Sequence, residues 1–100
     1  MTLTITEYDN GLKGTLSGRL DTAASEQFAK DMQPFMEQAH RNIELDMAQL
    51  EYISSSGLRT LLTLLKQVHS KGGQLTIRNL SEGIREVFTL TGFFRIFDIR

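Results

Sequence analysis

Leu3, Ile5, Leu12 and Leu16 alternate with threonine, lysine and serine, a period of two that predicts a pair of strands turning at Asp9-Asn10-Gly11. Gly18 to Asp21 ends the pair. From Thr22 the spacing changes: Ala24, Phe28, Met32, Phe35, Met36 and Ala39 fall on one helical face, with Asp21 or Thr22 placed to cap it. Pro34, the one proline, lacks an N–H and predicts a kink or break late in that helix. Ile43, Leu45 and Met47 mark a strand over Asn42 to Met47. Leu58, Leu61, Leu62, Leu65 and Val68 then mark a helix that Gly72-Gly73 stop. Gln74 to Arg78 reads as another strand. Ser81 caps a short helix carrying Ile84, Val87 and Phe88, which Gly92 ends, and Phe94 to Ile99 finishes as strand or extended chain.

The order is therefore β-β-α-β-α-β-α-β. Helices between single strands imply crossover connections. The predicted fold class is α/β, with a mixed, mostly parallel sheet of four to five strands packed against helices. No linker, repeat or low-complexity segment divides the chain, so residues 1–100 are expected to form a single domain with one core.

Composition adds exclusions. A hydrophobic share of 40% and a charged share of 23% are those of a globular protein. The apolar runs are too short to span a bilayer, and no basic, apolar leader opens the chain. The lack of cysteine fits a reducing compartment, so the expected location is the cytoplasm, with no membrane partner. Net charge is −1 and the 11 basic residues are interspersed with acidic ones, which offers no footprint for nucleic acid.

The stretch Ser54-Ser55-Ser56-Gly57 sets three hydroxyls where a strand gives way to a helix. A nucleophile elbow needs glycine two residues before the serine, and Ile53 stands there instead. The available bases are His40, which closes the first helix, and His69, near the end of the second. Neither is paired with the serines by any motif, which argues against an enzyme. Two distant histidines and no cysteine give no metal spacing, and one glycine without a following lysine gives no phosphate-cradling loop, so no metal or cofactor is expected. Two uses remain. Ser55 or Ser56 can cap the helix, worth about 1 kcal/mol. Ser55 can also accept phosphate, because a phosphate at a helix start meets unpaired amides and the positive end of the dipole.

The segment IELDMAQLEYISSSGLRTLL resembles the signature of STAS domains, which occur in bacterial anti-sigma factor antagonists and attached to sulfate transporters. SGRLD at Ser17 to Asp21 and GGQLTIRNLSEGIREVFTLTGFFRIFDI agree with other parts of that pattern, so the resemblance runs nearly end to end. It implies a STAS fold and a binding protein whose partner is a kinase-fold anti-sigma factor. The unphosphorylated form would sequester that factor and release a sigma factor. The anti-sigma factor, a serine kinase, would phosphorylate the antagonist, and a serine phosphatase would reset it. The resemblance places the acceptor at Ser55, with Ser54 and Ser56 as neighbouring alternatives. Ser54 departs from the aspartate many antagonists carry, and many members continue past the position of Arg100 into a further helix. Ser54, Ser56, Gly57, Arg59, Thr63 and Lys66 are expected at the partner contact, the last three from the side of the helix away from the leucine stripe. A solvated helix face is the competing reading of those three. Asp21 and Asp46 are expected in structural roles. The alternative function is a STAS subunit docked constitutively on a transporter ATPase or sensory assembly, with Ser55 only a cap. Oligomeric state is left open by the sequence.

Overall fold

The computed structural model describes residues 1–100. Strands β1 (Thr2–Tyr8) and β2 (Gly11–Leu20) form the predicted antiparallel hairpin, with Tyr8 paired to Gly11 across the turn. Helices α1 (Thr22–Asp31) and α2 (Gln33–Glu37) lead to β3 (Asn42–Ile53). Helix α3 (Ser55–Lys71), β4 (Gln74–Arg78) and α4 (Glu82–Leu90) follow, then a 3-10 turn (Phe93–Arg95) and β5 (Asp98–Ile99). The sheet order is β1-β2-β3-β4-β5, and every pair after the hairpin is parallel.

This order decides where the helices go. Each crossover moves one strand in the same direction, so right-handed connections put all the helices on one face. Burial follows: Leu12 and Leu16, Ile43, Leu45 and Met47, and Leu75 and Ile77 point inward at 3% exposure or less. Between them Lys13, Thr15, Glu44, Asp46 and Thr76 occupy the helix-free face, half-buried. There Lys13 pairs with Asp46 at 3.9 Å, and Arg78 with Glu44.

Two elements differ from the sequence reading, and one expected break is present. The strand expected to stop at Met47 runs on to Ile53, because its register against β2 slips twice, between Thr15 and Ser17 and between Gly18 and Arg19. Each slip adds a residue on β3, so its inward positions become Met47, Leu50 and Ile53, a spacing of three that hides a strand from a period-two reading. The first helix breaks in two, as Pro34 predicts. Pro34 has no N–H for the carbonyl of Lys30, so α1 ends and α2 restarts with Pro34 in its first turn, where that loss costs nothing. The segment from Phe94 is mostly not strand. Phe93 and Phe97 fold back onto Phe88, with ring centroids 6.1 and 5.8 Å away, and that four-residue spacing curls the chain before two residues of β5.

Candidate functional site

The candidate site is the junction between β3 and α3. Ile53, 5% exposed, ends the strand pointing into the core. The next residue, Ser54, stays extended, and its N–H donates to the Leu20 carbonyl at 2.8 Å. That bond ties the ends of β2 and β3 together. The Ser54 hydroxyl accepts the Gly57 N–H at 3.1 Å, and its carbonyl accepts the Leu58 N–H at 3.0 Å. Ser54 is thus the N-cap of α3, and the expected cap at Ser55 or Ser56 is corrected by one position or more. The helix begins at Ser55, the first residue with helical conformation.

Local packing explains the tight turn. A Cβ on Gly57 would come 2.7 Å from Leu20 Cγ and 3.1 Å from Ile53 Cγ1, so glycine lets the first turn of α3 lie directly on the sheet. Leu58, Leu61, Leu64, Leu65 and Val68 continue that buried face. At the far end Gly72, with φ of 80°, closes the helix, and Gly73 N–H reaches back to the Val68 carbonyl.

The serines therefore separate by environment. Ser54 is 7% exposed and engaged, Ser55 faces solvent, and Ser56 is half-buried. Among the expected contact residues, Arg59, Thr63 and Lys66 are exposed on the outer side of α3. Ser54 and Gly57 lie beneath that surface, both buried in the free chain. No acidic residue occupies the first turn of α3, while His69 and Lys71 occupy its last turn. The basic end is matched to the helix dipole, and the positive end at Ser55 is left without a compensating charge. His40 and His69 are both exposed.

Sequence reasoning missed what α1 contributes. Asp21 caps that helix through the Ala24 N–H at 2.8 Å, as expected for one of the two candidates. Ser25 is buried at the start of α1, where its hydroxyl meets that of Ser54. Its signal was its position, three residues before Phe28 and seven before Met32, on the apolar stripe. Thr22, Glu26, Ser56, Arg59 and Thr63 line an open groove of about 340 Å³ between α1 and α3. Beside the junction, Arg19 stacks on the Tyr52 ring at 4.4 Å. Asp46 lies mid-strand on the helix-free face. Its carboxylate accepts the Ala48 N–H at 3.0 Å, which holds its pKa below the usual value, against partial burial and with help from Asn79 and Lys13. No helix is long and apolar enough to cross a membrane.

Comparison with known proteins places this geometry. The chain is 35% identical over 99 residues to a candidate anti-sigma factor antagonist, BtrV, of Bordetella bronchiseptica, covering 99% of this chain and 85% of that one. In fold it resembles an anti-sigma factor antagonist of Mycobacterium paratuberculosis, with a TM-score of 0.86 at 17% identity over 98% of this chain and 83% of that one. It also resembles the Bacillus cell fate determinant SpoIIAA in its phosphorylated form, with a TM-score of 0.74 at 21% identity over 99% and 91% of the two chains. The family model of the STAS domain matches residues 2–100, and the chain belongs to that family.

Proposed function

We propose that this protein is a cytoplasmic anti-sigma factor antagonist, a regulatory binding protein rather than a catalyst. Its unphosphorylated form binds a kinase-fold anti-sigma factor and thereby frees a sigma factor. Phosphorylation of Ser55 by that serine kinase switches it off, and a serine phosphatase restores it. The observation that carries this reading is the exposure of Ser55 as the first residue of α3, beside a cap that another serine already supplies. A phosphate of about −2 charge can be added there without disturbing the cap, and it acts outward on whatever covers the rim. Arg59, Thr63 and Lys66 extend the same outer surface along α3.

The magnitudes suffice. Weakening a complex a thousandfold takes about 4 kcal/mol. Like charges brought face to face at an interface cost several kcal/mol.

The test is paired affinity capture from the native cell extract with wild type and Ser55→Asp as baits, both checked for folding. Wild type is expected to retain an ATP-binding anti-sigma factor that Ser55→Asp loses. Equal retention by both baits of a transporter or sensory-assembly component would replace the switch with a constitutive dock.

A further inference from the structure

The two buried polar side chains of this protein, Ser25 at 5% exposure and Ser54 at 7%, face each other. One belongs to α1 and the other caps α3, and their hydroxyl oxygens stand 3.5 Å apart. Their flanking partners assign the hydrogens. Ser25 Oγ–H donates to the Asp21 carbonyl at 2.8 Å, so Ser25 presents only lone pairs to Ser54. Ser54 Oγ accepts the Gly57 N–H, and its own proton has the Ser25 oxygen as acceptor. The result is a chain running one way, from Gly57 N–H to Ser54, from Ser54 O–H to Ser25, and from Ser25 O–H to the Asp21 carbonyl. Both Asp21 and Ser54 are N-cap residues, so the chain joins the starts of two helices.

We propose that Ser25 is a positioning residue for Ser55. By accepting the Ser54 hydroxyl it fixes the cap that shapes the first turn of α3, and it holds the start of α1 in register with that turn. That the positioned group is a phosphate acceptor rests on the function proposed above; that Ser25 holds the turn does not. The same link keeps Thr22 and Glu26 at a set spacing from Ser56 and Arg59 across the groove. At 3.5 Å the Ser54–Ser25 contact is longer than a good O–H···O bond, which runs about 2.5–3.0 Å. It is the longest step of the chain, so its removal is expected to loosen the turn without unfolding the domain.

The experiment is amide hydrogen exchange with nitrogen–proton NMR spectra on the full chain, comparing wild type, Ser25→Ala and Ser25→Thr. Ser25→Ala is expected to speed Gly57 exchange about twofold, the change that loss of a hydrogen bond at the weak end of the usual range produces, and to shift the Ser55 and Ser56 resonances. Ser25→Thr keeps a hydroxyl that can donate four residues back, as Thr60 and Thr63 do here, at a position bordering the open groove. It is expected to restore wild-type exchange and shifts. Unchanged Gly57 exchange in Ser25→Ala would overturn the proposal. So would faster exchange spread evenly through α1 and α3 in both variants, the mark of a merely structural residue. Should Ser25→Ala fail to fold, Ser25→Cys keeps the volume with a weak hydrogen-bonding group and is read the same way. No phosphorylating partner enters the measurement, so failure of the link and failure of the acceptor assignment are seen separately.

Discussion

Ser54 and Ser55 are chain neighbours with opposite environments: Ser54 is 7% exposed with its hydroxyl on the Gly57 amide, while Ser55 stands in solvent. The change from extended to helical backbone between them turns the second side chain out as the first turns in. Ser55 is open to solvent with the helix start intact, whereas Ser54 is reached only by unmaking the cap. With a cognate anti-sigma kinase and ATP, phosphate should map to Ser55 by mass spectrometry, and Ser55→Ala should take none. Ser54→Ala should still be labelled while losing about 1 kcal/mol of stability with its cap. Phosphate on Ser54 of the folded protein would contradict the assignment.

Gly57 should resist substitution in a way that Gly83 does not. At Gly57 a methyl group meets Leu20, itself fully buried, at 2.7 Å. Overpacking of that kind costs about 1–3 kcal/mol, against about 1 kcal/mol gained from better helix propensity. Gly57→Ala is therefore expected to lower the urea midpoint. At Gly83, in α4, nothing lies within 4 Å of the added carbon, so Gly83→Ala should raise the midpoint slightly. Equal shifts in the two variants would rule out the close approach as the cause.

The fold was legible because its periods were clean. Alternation in β1 and β2, the leucine spacing of α3 and the Ser81 cap of α4 each state one structure, and the cap is present with Ile84 N–H on Ser81 Oγ at 3.4 Å. What stayed hidden depended on contacts between distant residues. The slips that extend β3 to Ile53 arise from its pairing with β2, and no local pattern encodes them. The cap at Ser54 was unreadable among three equivalent serines, because the choice is made by the Ser54 N–H bond to the Leu20 carbonyl. Burial of Gly57 likewise follows from the position of Leu20, 37 residues earlier in the numbering.

Asp46 should give the folding equilibrium an acid-sensitive component. Its pKa is lowered in the fold, chiefly by the Ala48 N–H, so its contribution is full above the unfolded carboxylate value and is lost as pH falls through the folded one. Because the carboxylate keeps 21% of its side-chain surface in solvent, which screens it, the contribution should stay below about 1 kcal/mol. Urea midpoints measured from pH 6 down to pH 3 should fall less steeply in Asp46→Asn than in wild type. Parallel curves would mean that the carboxylate stabilises the fold by no more than an amide does.

Arg59 should separate recognition from folding. It is exposed one helical turn after Ser55, on the wall of the groove opposite Glu26, and no salt bridge holds it within the chain. Reversing its charge in Arg59→Glu should leave stability within about 0.5 kcal/mol, the range usual for exposed positions. If the outer side of α3 meets the anti-sigma factor, the same change should weaken binding at least about tenfold, or 1.4 kcal/mol. Thr63→Ala, which deletes a hydroxyl bonded only to the Arg59 carbonyl of its own helix, serves as the mild companion. Titration calorimetry against the captured anti-sigma factor reads both. Wild-type affinity in Arg59→Glu would assign this face to solvent and confine recognition to the serine rim, because an interface covering the groove could not accept the reversed charge without loss.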